Sequence, residues 1–339
     1  FEDTRPTKRA TTDDLNKENL KNYIDKLKMD RPHFAKNDFI KCLKICGIID
    51  NSNNQIYPTL AGTLIFGEYP QTFYPQLFIA CAVIPGIELG DVGQNGERFI
   101  DNKRIEGTIE EMLEETINFL RRNMKTSVIV NSNGRRTDRT EYPLEALREA
   151  IANALIHRDY STQTENAYIS VYMYDNRIEI LNPGTLYGTN KLEKLGTASV
   201  MEARNPTIVR ILEEKGSVIE NRHSGIPTMK REMKKYGLPE PEFYEERDSF
   251  KVVFRNNSIM DKDMQSGQVN QIEKYKKLVL EFCKSPKTTN EIKKYLGIKS
   301  RNYIRENVIK PLLESKLLGY TNENHINASN QKYITLKDY

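Results

Sequence analysis

The sequence contains no tryptophan, only four cysteines and four histidines, and no long hydrophobic run. Each shortage removes a class of protein. The longest apolar stretch, Leu77–Ile87, is interrupted by Pro85 and falls well short of the roughly 20 residues an apolar helix needs to cross a bilayer. The first residues, FEDTRPTKRATTDDL, are polar and lack the apolar segment of a secretory leader. Cys42 and Cys46 lie one helical turn apart, Cys81 and Cys283 are isolated, and His33, His157, His223 and His325 are scattered. No paired CxxC spacing exists, which argues against the common structural zinc sites. Reduced thiols in a cytoplasmic protein fit this usage, with no membrane partner. Gly-Lys-Ser and Gly-Lys-Thr are absent as well, so the chain has no P-loop motor. Neither sign of charge dominates: 51 Lys and Arg stand against 47 Asp and Glu. That balance excludes a wholly basic scaffold and allows local basic patches. The sequence does not open on methionine and reads as a piece of a longer protein with a domain upstream.

What is present divides into segments, since 339 residues exceed one ordinary core and two or three domains are expected. Residues 1–70 read as a helical, winged-helix-like module. Asp13 or Asp14 can cap a helix through about Met29, a second helix covers Phe39–Cys46 and ends at Gly47, and Thr59–Phe66 forms another. A plain helical spacer and a DNA-contacting module both fit this stretch. Residues 71–258 mix strands and helices. Strands are expected at Gln76–Ile87, Glu97–Ile100, Ala167–Tyr174, Arg177–Leu181 and around Phe250–Phe254, with a tight turn at Asp175-Asn176. Helices are expected at Ile109–Met124, Pro206–Lys215 and Ile226–Tyr236, while Arg135, Arg136 and Arg139 fall in a polar loop. This uneven alternation predicts an α+β multidomain chain whose middle is an α/β sandwich with helices on one face.

Residues 259–268 are polar and form a linker. Residues 269–339 then read as helix Ile272–Lys284, helix Ile292–Leu296, helix Ser300–Leu313 and two strands, Leu317–Tyr320 and Lys332–Leu336. That order is a winged helix-turn-helix. Its second paired helix would enter the major groove of double-stranded DNA, with Lys299, Arg301, Asn302 and Arg305 near its start. Arg and Asn suit base edges and Lys suits phosphate. A winged helix that binds protein instead is the alternative.

The most informative stretch is Glu141–Ser161, EYPLEALREAIANALIHRDYS. Pro143 suits the first turn of a helix, and Leu144, Leu147, Ile151, Ala154 and Leu155 recur at helical spacing. Glu149, Asn153 and His157 then stack one turn apart on the opposite face. They form either a solvated polar stripe or a carboxylate and an amide aimed at a metal–phosphate site.

These blocks carry a resemblance. EYPLEALREAIANALIHRDYS, RIEILNPGTL, RNPTIVRILEE, the SGI before a helix, and TLAGTLIFGEYPQ resemble a group of prokaryotic proteins labelled ATP-dependent DNA helicases, related to the RecG C-terminal region, or divergent AAA-type regulators. The middle domain of that group is similar to the GHKL ATPases, which include gyrase B, MutL and the histidine kinases. The resemblance implies ATP and Mg²⁺ as ligands. It assigns Asn153 to Mg²⁺ on the phosphates and Glu149 to the activation of water. It places Asn182 and Gly184, within Asn182-Pro183-Gly184, at the adenine, where the superfamily has Asp-x-Gly-x-Gly. It places Ser224 and Gly225 over the phosphates, with His223 standing where a glycine is usual. The function implied is a DNA-binding transcriptional regulator, acting as a homodimer, with a degenerate GHKL-like nucleotide-binding domain. The alternatives are an active Mg²⁺-dependent ATPase that acts with DNA, and an interaction module in a defence or signalling assembly.

Overall fold

Short polar side chains cap several helices of the protein, whose computed structural model describes residues 1–52, 55–130, 136–197, 202–216, 218, 225–256, 275–296, 304–322 and 331–336. Helix α1 (Lys17–Asp30) is capped by Asn16, whose side chain accepts the Asn19 N–H at 2.9 Å. This differs from the cap expected at Asp13 or Asp14, because those residues close a separate 3₁₀ turn, Thr12–Asp14, through a capping box with Thr11. The short helix α2 (Pro32–Ala35) follows, and Asp38 caps α3 (Phe39–Ile45). Strands β1 (Ile49–Ser52) and β2 (Gln55–Pro58) pair antiparallel. Thr59 then caps α4 (Leu60–Phe66), every residue of which is buried.

The chain divides into two units, Phe1–Asn256 and Asn257–Tyr339. The first is α+β, and its centre is a mixed six-stranded sheet. In chain order the sheet strands are β3 (Ile79–Val83), β4 (Asp101–Ile105), β7 (Ile169–Met173), β8 (Arg177–Pro183), β9 (Glu242–Glu246) and β10 (Ser249–Arg255), and their spatial order is β4-β3-β7-β8-β10-β9. Only β3 and β7 run parallel. Helices α5 (Ile109–Asn123) and α6 (Leu144–His157) pack on this sheet, α8 (Gly225–Lys235) packs on α6, and α7 (Pro206–Lys215) packs against α4. One hydrophobic core runs from Leu15 to Phe254, so the N-terminal helices and the sheet share it. Among the described residues, no helix is long and apolar enough to cross a membrane.

Two edges of this unit depart from the expected pattern. The strand expected at Glu97–Ile100 forms at Asp101–Ile105 instead, paired only with β3. An edge strand tolerates charge on both faces and is protected by it. Asn102, Lys103 and Arg104 are accordingly exposed, and Ile105 alone is buried. Arg136 and Arg139, expected in a loop, belong to β6 (Arg136–Thr140), which pairs antiparallel with β5 (Thr126–Val130). Arg139 reaches across to α8, where it donates to the Tyr236 carbonyl at 2.6 Å and stacks over the Tyr236 ring. Arg135 lies outside the described residues.

The ends of α6 and α7 are joined by buried polar side chains. Asn205, completely buried, donates through its amide to the Ile156 and Arg158 carbonyls at 2.8 Å each. It thereby satisfies two carbonyls at the C-terminus of α6 that the helix itself cannot pair. Asp3, also completely buried, accepts the N–H groups of Thr207 and Ile208 at 2.6 and 3.1 Å, at the start of α7. A carboxylate there faces the positive end of the helix dipole.

The second unit has a 275–282 helix, β11 (Lys287–Thr288), a Thr289–Leu296 helix, a helical stretch through Arg305–Ile309 and Lys310–Glu314, then β12 (Leu318–Tyr320) and β13 (Lys332–Thr335). Its sheet order is β11-β13-β12, antiparallel throughout. Thr288 and Glu291 form a reciprocal cap. The core includes Val279, Cys283, Ile292, Ile304, Val308, Leu312, Leu318 and Tyr333.

Replacing Asp3 with Ala leaves the first N–H groups of α7 buried without an acceptor. We expect a loss of about 1–2 kcal/mol of stability, read from the urea midpoint. A smaller loss is expected for Asp3→Asn, which keeps one acceptor.

Candidate functional site

The polar stripe of α6 is a wall of a site rather than part of the core face. Ala146, Leu147, Ala150, Ile151, Ala154 and Leu155 are buried in the core, whereas Glu149 and Asn153 are half-buried and His157 is exposed. Helix α8 begins directly on the first two. A Cβ added at Gly225 would lie 3.0 Å from both Asn153 Nδ2 and Glu149 Oε2. The absent side chain is what lets the backbone of α8 approach the carboxylate and the amide so closely. Gly225 therefore joins Glu149 and Asn153, as the resemblance implies. Ser224 lies outside the described residues.

The second wall is the end of β8. Ile178, Ile180 and Asn182 alternate on the buried face of this strand, and α6 packs against it. Asn182 is only 7% exposed, and its Oδ1 has no hydrogen-bond partner among the described residues. An unsatisfied buried acceptor costs about 1–3 kcal/mol. Beyond it, Gly184 has φ +96, a region that glycine occupies without strain. A Cβ there would meet Asp159 Cβ at 2.4 Å and Arg204 Nη1 at 3.0 Å.

Asp159 and Arg204 bridge the two walls, and their pairing is not read from the sequence. The Asp159 N–H donates to the Pro183 carbonyl at 3.1 Å, and its carboxylate pairs with Arg204 at 2.7 Å. Arg204 also donates to the Thr185 carbonyl at 2.6 Å. Burial works against ionisation of Asp159, but Ser161 and Arg204 together hold its carboxyl below the usual range. Both residues lie inside quoted blocks, next to His157-Arg158 and before Asn205-Pro206. Their pairing across 45 positions left no periodic signal in the sequence.

Arg158 points the other way. It is 2% exposed, donates to the Thr164 and Ala167 carbonyls and stacks on Tyr160, whose hydroxyl donates to the Leu155 carbonyl. These bonds fold the 161–167 loop onto the end of α6. His157 is exposed, with the Arg204 charge close enough to act on its ring. Burial first, and the Arg204 charge second, lower its pKa to about 4. The imidazole is therefore neutral at physiological pH and can accept as well as donate a hydrogen bond.

Of the residues placed at DNA, Arg305 is exposed at the start of its helical stretch. Lys299, Arg301 and Asn302 lie outside the described residues.

Comparison with known proteins finds similarity over parts of the chain. Residues 166–254 match the family described as "Putative ATP-dependent DNA helicase recG C-terminal", and residues 1–80 match a domain of unknown function, DUF8451. The stretch 166–254 is thus similar to a RecG-related, ATPase-like nucleotide-binding domain. It contains Asn182, Gly184 and Gly225, while Glu149 and Asn153 lie just upstream of it. Among solved structures the chain is similar to the DIP2311 protein from Corynebacterium diphtheriae, with a TM-score of 0.53 and 18% identity. The match covers 99% of this chain and 64% of that one, and at this identity the likeness is one of fold. No curated protein matches the chain.

The low pKa of His157 makes stability depend on pH. Above pH 6.5 the ring is neutral in both the folded and the unfolded chain. Between about 6.5 and about 4 the unfolded chain takes up a proton that the folded one refuses, so stability falls as pH drops through that window. In urea titrations across it, we expect His157→Gln to lose less stability than the parent protein. Parallel curves would show that His157 does not titrate in this way.

Proposed function

We propose that the first unit binds a purine nucleotide with Mg²⁺ in the GHKL manner and that the second is a winged helix-turn-helix contacting double-stranded DNA. On this reading the chain is a cytoplasmic, homodimeric, DNA-binding transcriptional regulator with a nucleotide-binding domain. One observation carries the nucleotide half: the unpartnered, buried Oδ1 of Asn182. The exocyclic amino group of adenine would satisfy it. Asn153 and Glu149, side by side against Gly225, suit Mg²⁺, which takes oxygen ligands and keeps several waters. When bound, the ion would neutralise phosphate charge. Asn153 would hold it through its amide oxygen, and the first N–H groups of α8 would face the phosphates.

A second reading is favoured by Glu149. A carboxylate one turn before the metal-holding amide can orient and deprotonate a water, as an active Mg²⁺-dependent ATPase requires. In the regulator reading the same carboxylate only positions bound solvent.

For the DNA half the support is charge and order of elements. Residues 257–339 carry 15 Lys and Arg against 9 Asp and Glu, while residues 1–256 carry 36 against 38. The positive charge is concentrated in the smaller unit, which is the electrostatic footprint of phosphate binding. Its helix, strand, helix, helix, strand, strand order, with β11 beside β13, supports the winged-helix reading.

Two measurements test these halves separately. Calorimetry with ADP should show Mg²⁺-dependent heat that Asn153→Ala removes, and the absence of heat with the unaltered protein rejects any nucleotide role. For DNA, Arg301→Ala combined with Arg305→Ala should weaken duplex binding and reduce its dependence on salt by a slope of about 1–2. Unchanged binding would favour the interaction-module reading, in which the winged helix binds protein.

A further inference from the structure

Asn182 differs from a carboxylate in one respect that decides which purine the site can read. A carboxylate only accepts hydrogen bonds, whereas a carboxamide accepts through Oδ1 and donates through Nδ2. A half-turn of the terminal torsion exchanges the two atoms. Among the described residues no hydrogen bond holds the Asn182 amide in either orientation, so the half-turn breaks none.

The edges of the two purine types are mirror cases for such a group. Adenine presents an amino donor at C6 beside an acceptor at N1. A 6-oxopurine, guanine or hypoxanthine, presents an acceptor at C6 beside an N–H donor at N1. With Oδ1 facing C6 and Nδ2 facing N1, the amide pairs with both adenine groups. After the half-turn it pairs equally with both groups of the 6-oxopurine. A carboxylate in its place would accept from the adenine amino group but set oxygen against oxygen at a 6-oxo group. Polar groups left unpaired in this way are the strongest source of discrimination a binding site has.

The surrounding charge does not restore a preference for the amino group. The carboxylate packed against Gly184, that of Asp159, is closed by Arg204 at 2.7 Å and by the Ser161 N–H at 2.9 Å. We propose that the site takes 6-amino and 6-oxopurine nucleotides alike, because its base reader is the neutral, reversible amide of Asn182. The inference rests on the nucleotide site proposed above.

The test is calorimetry of the full chain with ADP and with inosine diphosphate, in Mg²⁺. The two ligands differ only in the C6 group and the N1 proton. Dissociation constants within tenfold of each other are expected. Asn182→Asp should widen the ratio at least tenfold in favour of ADP. Asn182→Ser, whose hydroxyl also both donates and accepts, should leave it near that of the unaltered protein. ADP binding with inosine diphosphate more than tenfold weaker in the unaltered protein overturns this inference and leaves the nucleotide site standing. An unchanged ratio in a folded Asn182→Asp protein removes Asn182 as the base reader. Absence of heat with both ligands overturns the nucleotide site and this inference together.

Discussion

The junction between α6 and α7 is the constraint on which the site depends. A helix leaves its last carbonyls and the next helix its first N–H groups unpaired, and burying them unsatisfied is costly. Here two side chains resolve both problems. Asn205 closes the C-terminus of α6 and Asp3 the N-terminus of α7. Because the α6 end is held from outside the helix, the direction of its polar stripe is set. Glu149 and Asn153 then stand half-buried beside Gly225, and His157 lies exposed one turn on. Asp3 thus helps hold Glu149 and Asn153, more than 140 residues away.

Around that support the charges are arranged so that few are left open. Asp159 pairs with Arg204, and Arg158 is spent on carbonyls of the following loop. His157 stays neutral because burial and Arg204 both penalise its protonation. What remains available is mostly neutral and polar: the Asn153 amide, the imidazole, the Asn182 amide and the backbone of Gly225. Such a surface offers hydrogen-bonding groups more than net charge.

Local patterns were legible wherever burial is one-sided. The apolar spacing of α6, the capping pair Thr288/Glu291 and the alternation of β8 all appear in the sequence because each reports contact with a single core. The two edges were not. β4 and β9 are rich in charge, since an edge strand has a neighbour on one side only and meets water on the other. The β5–β6 hairpin was hidden for a related reason: Arg136 and Arg139 look like loop residues until Arg139 is seen to close the end of α8. In the site itself, Glu149 and Asn153 were found through their one-turn spacing, and Asn182 and Gly184 through motif position. Asp159 and Arg204 were missed because an ion pair between distant segments has no period.

Sequence alone therefore determined the elements that face the core on one side, the face of α6 that stays polar and the lack of a P-loop, because these follow from side-chain chemistry and near-neighbour spacing. Tertiary structure decided the rest. It set α8 on Glu149 and Asn153 through the missing side chain of Gly225, and turned the Asn182 acceptor inward without a partner. It also neutralised Asp159 with Arg204. Each of those outcomes depends on which distant backbone comes within about 3 Å, and no local pattern encodes a distance of that kind.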